Sequence, residues 1–92
     1  MAVEVSIPTI LRTYTGGVKT VEASGATLKA VIDDLEANHR GISDRLLDDV
    51  GLRRFVNVYL NDEDVRFLAG LDTEVSDGDS LTILPAVAGG AR

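Results

Sequence analysis

Side chains that do chemistry unaided are sparse in this 92-residue chain, which has one His, no Cys, two Tyr and two Phe beside 15 Asp+Glu and 9 Lys+Arg. The missing Cys excludes a disulfide framework, a Cys-ligated zinc or iron–sulfur site and a thiol nucleophile. His39 has no second His or Cys to complete a metal set, so it reads as a cation near the C-terminal end of a helix. Asp62-Glu63-Asp64 and Asp77-Gly78-Asp79 lack the roughly 12-residue spacing of a calcium loop and read as turns on a solvated face. Gly16-Gly17 does not follow the strand-to-helix pattern of a phosphate loop, and no Ser/His/Asp set exists. No catalytic residue, metal ligand or stably bound cofactor is expected.

What remains is a main-chain group. The last eight residues, Pro85-Ala86-Val87-Ala88-Gly89-Gly90-Ala91-Arg92, contain no large side chain before the final Arg. Proline fixes φ and withholds a ladder donor, so a strand should end at Pro85 and the rest should leave the body of the domain as a flexible tail. From Pro85 to Gly90 an extended chain reaches roughly 20 Å, enough to thread another protein's active-site channel. Glycine has no Cβ, so a nucleotide or a partner backbone can approach the Gly90 carbonyl from either side. A Gly-Gly pair by itself also marks ordinary chain ends. Its place directly after a final strand is what makes it a candidate reactive end.

The elements that must hold such a tail follow from hydrophobic spacing. Val3, Val5 and Ile7 alternate with polar neighbours as a half-buried strand does, and Pro8 ends it. Gly16-Gly17 is a turn signal, with Val18 to Glu22 as the second arm of a hairpin closed by Ser24-Gly25. From Thr27 the period changes: Leu28, Val31, Ile32 and Leu35 share one helical face, with Thr27 as N-cap, and the helix should stop near Asn38 before Gly41. Leu46-Leu47 suggests a short helical turn, and residues 48–51 a loop. Phe55 to Leu60 is the strongest strand, with Val56, Val58 and Leu60 on one side. Asn61 to Asp64 turns the chain, Val65 to Phe67 reads as a short strand, Leu71 to Val75 as a 3-10 turn, and Ser80 to Leu84 as the last strand.

Hairpin, crossover helix and further strands define an α+β protein. A mixed sheet is covered on one face by one main helix, and the helix brings the next strand in parallel to an existing one; this is the ubiquitin-like β-grasp roll. One domain over residues 1–85 carries a tail over 86–92. The formal charge of −6 disfavours nucleic acid. No run approaches a membrane span and no signal peptide is evident, so a cytoplasmic monomer is expected.

The run Asp77-Gly78-Asp79-Ser80-Leu81-Thr82-Ile83-Leu84-Pro85 followed by Ala86 to Gly90 resembles the C-terminal signature of the ThiS/MoaD sulfur carriers. Phe55 to Asn61 is similar to that family's Val-Asn strand, and Val3 to Arg12 to its first strand and turn, so most of the chain is covered. The start from Ser6 to Arg12 and the Asp33, Leu35, Glu36, Ala37, Asn38 region are similar to the branch of the family that actinobacteria use for cysteine synthesis.

The resemblance implies a protein that is a substrate and not an enzyme. In this family an ATP-using, E1-like adenylyltransferase/sulfurtransferase adenylates the terminal Gly, here Gly90, and sulfide or a persulfide displaces AMP to leave a thiocarboxylate. In the cysteine branch that sulfur attacks an aminoacrylate on the pyridoxal phosphate (PLP) of a cysteine synthase, and a JAMM-type metalloprotease later releases cysteine. ATP and PLP thus act on partner enzymes. Pro85, Val87, Ala88 and Gly89 would thread the partner's channel. Ala91-Arg92 departs from the active form because it ties the Gly90 carboxylate into a peptide bond, so the Gly90–Ala91 bond becomes a processing site for the same class of protease.

Partner recognition is expected at an apolar patch on the sheet near the tail, with Val56, Val58 and Phe67 as candidates that are equally suited to the core, and with acidic residues at its rim for steering. The receiving metabolite is left open between cysteine, thiamine, molybdopterin and a thiosugar. A ubiquitin-like modifier that passes Gly90 to a lysine amine and a plain β-grasp interaction domain are the other readings.

Overall fold

The computed structural model describes residues 2–54 and 56–85, with the backbone alone at Pro85. Strand β1 (Ala2–Ser6) pairs antiparallel with β2 (Thr20–Ser24), Val5 opposite Val21. The connection is longer than a tight hairpin: Thr9–Thr15 forms a 3-10 helix, and Gly16 and Gly17, both at positive φ, follow it. Leu11 on that helix is buried, and the Arg12 Nε donates to the Ile7 carbonyl at 3.1 Å. The second arm therefore begins at Thr20 and not at Val18, which is exposed.

Helix α1 (Leu28–Asn38) buries Leu28, Val31, Ile32 and Leu35, as its spacing requires. The Thr27 side chain accepts from the Ala30 N–H at 3.2 Å, which satisfies one of the donors left open at a helix start. Gly25, between β2 and α1, lies so close to the helix that a Cβ there would meet the Val31 nitrogen at 2.7 Å. His39 is the C-cap residue, its N–H donating to the Leu35 carbonyl. Beyond it the Glu36 carboxylate accepts from the Gly41 and Ser43 N–H groups at about 3.0 Å. These two backbone bonds hold the Glu36 carboxyl below the usual range.

Helix α2 (Ser43–Leu46) supplies the turn expected near Leu46. Residues 48–51 are more ordered than a loop: β3 (Leu47–Asp48) pairs antiparallel with β4 (Gly51–Leu52). Strand β5 (Val56–Leu60) follows and is joined to β6 (Glu63–Asp64) through Asn61 and Asp62, both at positive φ, a conformation that Asn and Asp tolerate better than most residues. Val65–Phe67 is a 3-10 turn and not a strand. Its apolar-polar-apolar alternation mimics a strand, but the Asp64 carboxylate accepts from the Arg66 N–H at 2.8 Å and bends the chain away from the ladder. Val65 goes into the core, while Phe67 is 83% exposed. A further 3-10 turn spans Gly70–Asp72, and β7 (Ser80–Pro85) ends the described chain.

The main sheet has the order β2-β1-β7-β5-β6. β1 and β7 run parallel, with Val5 opposite Leu81, whereas β5 runs antiparallel to β7. The strand parallel to β1 is thus the last one, not the one that follows the helix. β5 precedes β7 in the chain, and β7 lies between β1 and β5 in the sheet. This central strand brings Leu81 and Ile83 into the core beside Val3, Val5 and Val58, opposite the apolar face of α1. The arrangement is a β-grasp roll.

Candidate functional site: the root of the tail

β7 matches β1 only as far as Thr82, opposite Ser6, whereas it matches β5 to its end, with Ile83 opposite Val58, Leu84 opposite Asn57 and Pro85 opposite Val56. The final three residues therefore project beyond β1 and are held by β5. Pro85 has no N–H to offer a further neighbour, so the ladder cannot continue through it as a two-sided strand. The fold thus delivers the chain at one end of its central strand. Val87, Ala88, Gly89, Gly90 and Ala91 lie outside the described residues.

The alternation of side chains sorts the candidates around this root. Val56, Val58 and Leu60 face the helix side with Ile83 and Leu81, and Val58 is only 1% exposed. Val58 is therefore a core residue and unavailable as a contact for another protein. Val56 is partly buried against the core. Phe67 is the candidate the structure leaves open to contact.

The opposite face of the same strands carries residues that the sequence reading did not single out. Tyr59 and Leu84, with Thr82 and Asp62, line a shallow hollow, and Leu84 is 45% exposed. Strand parity could have found them: once Val58 points inward, Asn57 and Tyr59 must point outward, and so must Leu84 beside Ile83. The side-chain Oδ1 of Asn57 accepts from Arg66 Nη1 at 2.7 Å, and Arg66 Nη2 donates to the Arg53 backbone carbonyl at 2.7 Å. These two bonds pin the 3-10 turn bearing Phe67 to the start of β5.

On the helix side a cleft of about 480 Å³ opens next to the root, lined by Ile10, Leu11, Tyr14, Arg45, Arg53, Val56 and Ile83 among others. Among the described residues its lining holds two arginines, and Arg53 also lines an adjoining hollow with Asp44, Asp48 and Asp49. Further acidic residues build turns at the other end of β7. The Asp77 carboxylate accepts from the Ala2 N–H, and Asp79 accepts from the Ser76 N–H and from Asn61 Nδ2. Those bonds hold the Asp79 carboxyl below its usual range. Among the described residues no group of three or more His, Cys, Asp or Glu is placed to hold a metal ion, and no helix is long and apolar enough to cross a membrane.

A β-grasp roll whose central strand leads straight into a small-residue chain end is the architecture of the ubiquitin-like proteins. Comparison with known proteins narrows this class: the ThiS family model matches residues 5–90. The sulfur carrier protein CysO of Mycobacterium tuberculosis is 68% identical over 93 residues, covering 98% of this chain and all of the relative. A chain in the crystal structure of the Amycolatopsis orientalis BexX/CysO complex superposes with a TM-score of 0.91 at 67% identity, covering 96% of this chain and 99% of that one. Small archaeal modifier protein 3 of Haloferax volcanii is 40% identical over 65 residues, 71% of each chain. The chain belongs to the ThiS family.

Proposed function

We propose that this protein is a sulfur carrier whose cargo sits on its own C-terminal carbonyl. A carboxylate is a poor electrophile because its charge is shared by two oxygens. In the proposed cycle a JAMM-type metalloprotease cleaves the Gly90–Ala91 bond, and an E1-like enzyme joins the freed Gly90 carboxylate to the AMP portion of ATP with loss of pyrophosphate. Sulfide then attacks the acyl carbon, AMP leaves, and a thiocarboxylate results; where the donor is a persulfide, the acyl disulfide first formed is cleaved by a second thiol, which ends in a disulfide with the donor thiol as the thiocarboxylate is released. Its sulfur is a good nucleophile on a tethered acyl group and is passed to a PLP-dependent enzyme of cysteine biosynthesis. ATP and PLP belong to those partners, which are enzymes of the cytoplasm, and the carrier itself performs no catalysis.

The observation that carries this reading is the continuous match to the ThiS family through Gly90, the residue before Ala91-Arg92. The near-full-length likeness to a sulfur carrier at 68% identity supports it, as does a central strand whose last residues, Ile83 to Pro85, extend past β1. ATP–pyrophosphate exchange by the E1-like enzyme tests the cycle: a chain ending at Gly90 should support exchange and one ending at Arg92 should not. Equal exchange with both chains would contradict the assignment of Gly90.

The likeness to an archaeal modifier protein favours one second reading, in which the same adenylated Gly90 is transferred to a lysine amine. Isopeptide-linked adducts in cell lysate would support the modifier. Their absence beside a detected thiocarboxylate would remove it.

A further inference from the structure

Of the nine Lys and Arg side chains only Lys19 and Lys29 are amines. Guanidinium groups stay protonated and do not attack an acyl carbon, so these two are the side-chain amines of its own chain that an activated Gly90 can meet. The sheet separates them. Ala2 stands opposite Ser24, the Ala2 N–H donates to Asp77 just before β7, and Thr27 bridges Glu74. The end of β2 and the start of α1 therefore share the end of the sheet where β7 begins. Lys29 lies there, in the first turn of α1, with its ammonium held by both Asp33 oxygens at 2.9 and 3.0 Å. Lys19, just before β2, lies at the opposite end, where β7 finishes.

Register fixes how near Lys19 comes to the tail. Ser6 is opposite both Thr20 and Thr82, and the Ile7 N–H donates to the Lys19 carbonyl at 2.7 Å. Lys19 is therefore level with Ile83 and two strand spacings away across β1, about 10 Å. Pro85 is two residues farther on, about 7 Å along the strand. From Pro85 to Gly90 an extended chain spans roughly 20 Å, and lysine adds a four-carbon stem, so the Gly90 carbonyl and the Lys19 amine of one chain can meet. Lys19 is exposed, and among the described residues its amine has no ion-pair partner. The turn before it is open as well, since a Cβ on Gly16 or Gly17 would meet nothing beyond its chain neighbours within 4 Å. A group tethered at this range meets the amine at an effective concentration of order millimolar, above that of the same amine on other copies in dilute solution.

We propose that Lys19 is an acceptor site for the chain's own activated end, which gives the carrier a closed form that holds no sulfur. The Lys19 nitrogen attacks the acyl carbon of the Gly90 adenylate, the bond from that carbon to the phosphate oxygen breaks, AMP leaves, and the amine loses a proton to water. The product is a ring joined by an isopeptide bond, with no Gly90 carboxylate left to adenylate. The proposal rests on the carrier reading above. The test takes the chain ending at Gly90 with the E1-like enzyme and ATP, omits the sulfur donor, and reads the product by intact mass and peptide mapping. A species lighter by one water should accumulate, with Gly90 joined to Lys19 of the same chain and a yield fraction independent of carrier concentration. Lys19→Arg, which keeps the charge at an exposed site, should lower that yield about tenfold or more, and Lys29→Arg should leave it unchanged. A link at Lys29, adducts between two chains in place of the ring, or no water-loss species from a chain that supports ATP–pyrophosphate exchange overturns this proposal alone. A chain ending at Gly90 that supports no exchange overturns the carrier reading and this proposal with it.

Discussion

At the scale of single residues, strand parity separates packing from presentation. Val58 and Tyr59 are adjacent, yet Val58 is sealed in the core and Tyr59 lines the open face with Leu84. Both have side chains suited to either role, so apolar character alone could not assign them; their register with β7 does. Glu36 illustrates a different limit. It closes the connection from α1 to α2 by accepting from the Gly41 and Ser43 N–H groups, contacts that helical spacing alone does not reveal. Those donors favour the ionised form, so its folded-state pKa is depressed. The stabilisation is fully present above the unfolded value, about pH 4.3, and is lost as pH falls through the lower folded value. Thermal melts should therefore show the wild type losing stability below about pH 4. Glu36→Gln should be less stable at neutral pH and should show a shallower acid decline. Parallel pH profiles for the two proteins would contradict this role.

At the scale of elements, hydrophobic period located β1, α1, β5 and β7 because each is long enough to show its repeat. The Val65–Phe67 segment was misread because three residues cannot distinguish a strand from a turn, and the deciding contact comes from the Asp64 side chain. The β3–β4 pair and the Thr9–Thr15 helix escaped for a similar reason: each is fixed by tertiary packing and not by its own pattern. Ile10, at the edge of the cleft, sits on that helix and gave no sequence signal. The approach of β2 to α1 is equally a tertiary fact. A methyl group at Gly25 would lie within 2.9 Å of three atoms of α1, two of them backbone, so the helix would have to move. Gly25→Ala should cost about 1–3 kcal/mol in urea unfolding. Gly17→Ala should cost about 1–2 kcal/mol, because its φ is +88° although the space around it is open. Denaturation midpoints unchanged by Gly25→Ala would show that β2 and α1 are less tightly apposed than the structure has them.

At the scale of the whole molecule, the last strand in the sequence is the middle strand of the sheet. β7 is clasped between β1 and β5, and its last three residues extend past β1 along β5. Turn-building aspartates lie at its start, and a cleft with Arg45 and Arg53 in its lining lies at its end. The lack of Cys excludes cargo on a thiol side chain, which is compatible with sulfur held on a terminal carbonyl. Resemblance of the last strand and tail made the family legible in the sequence, whereas the cleft was not, because it joins residues from four separate parts of the chain. The central claim is that Gly90 becomes the sulfur-bearing end, and intact-mass analysis tests it most directly. After incubation with a JAMM-type protease, the E1-like enzyme, ATP and a sulfur donor, the account predicts loss of Ala91-Arg92 and then replacement of one terminal oxygen by sulfur. An unchanged mass, with each partner enzyme shown to be active on its own substrate, would contradict it.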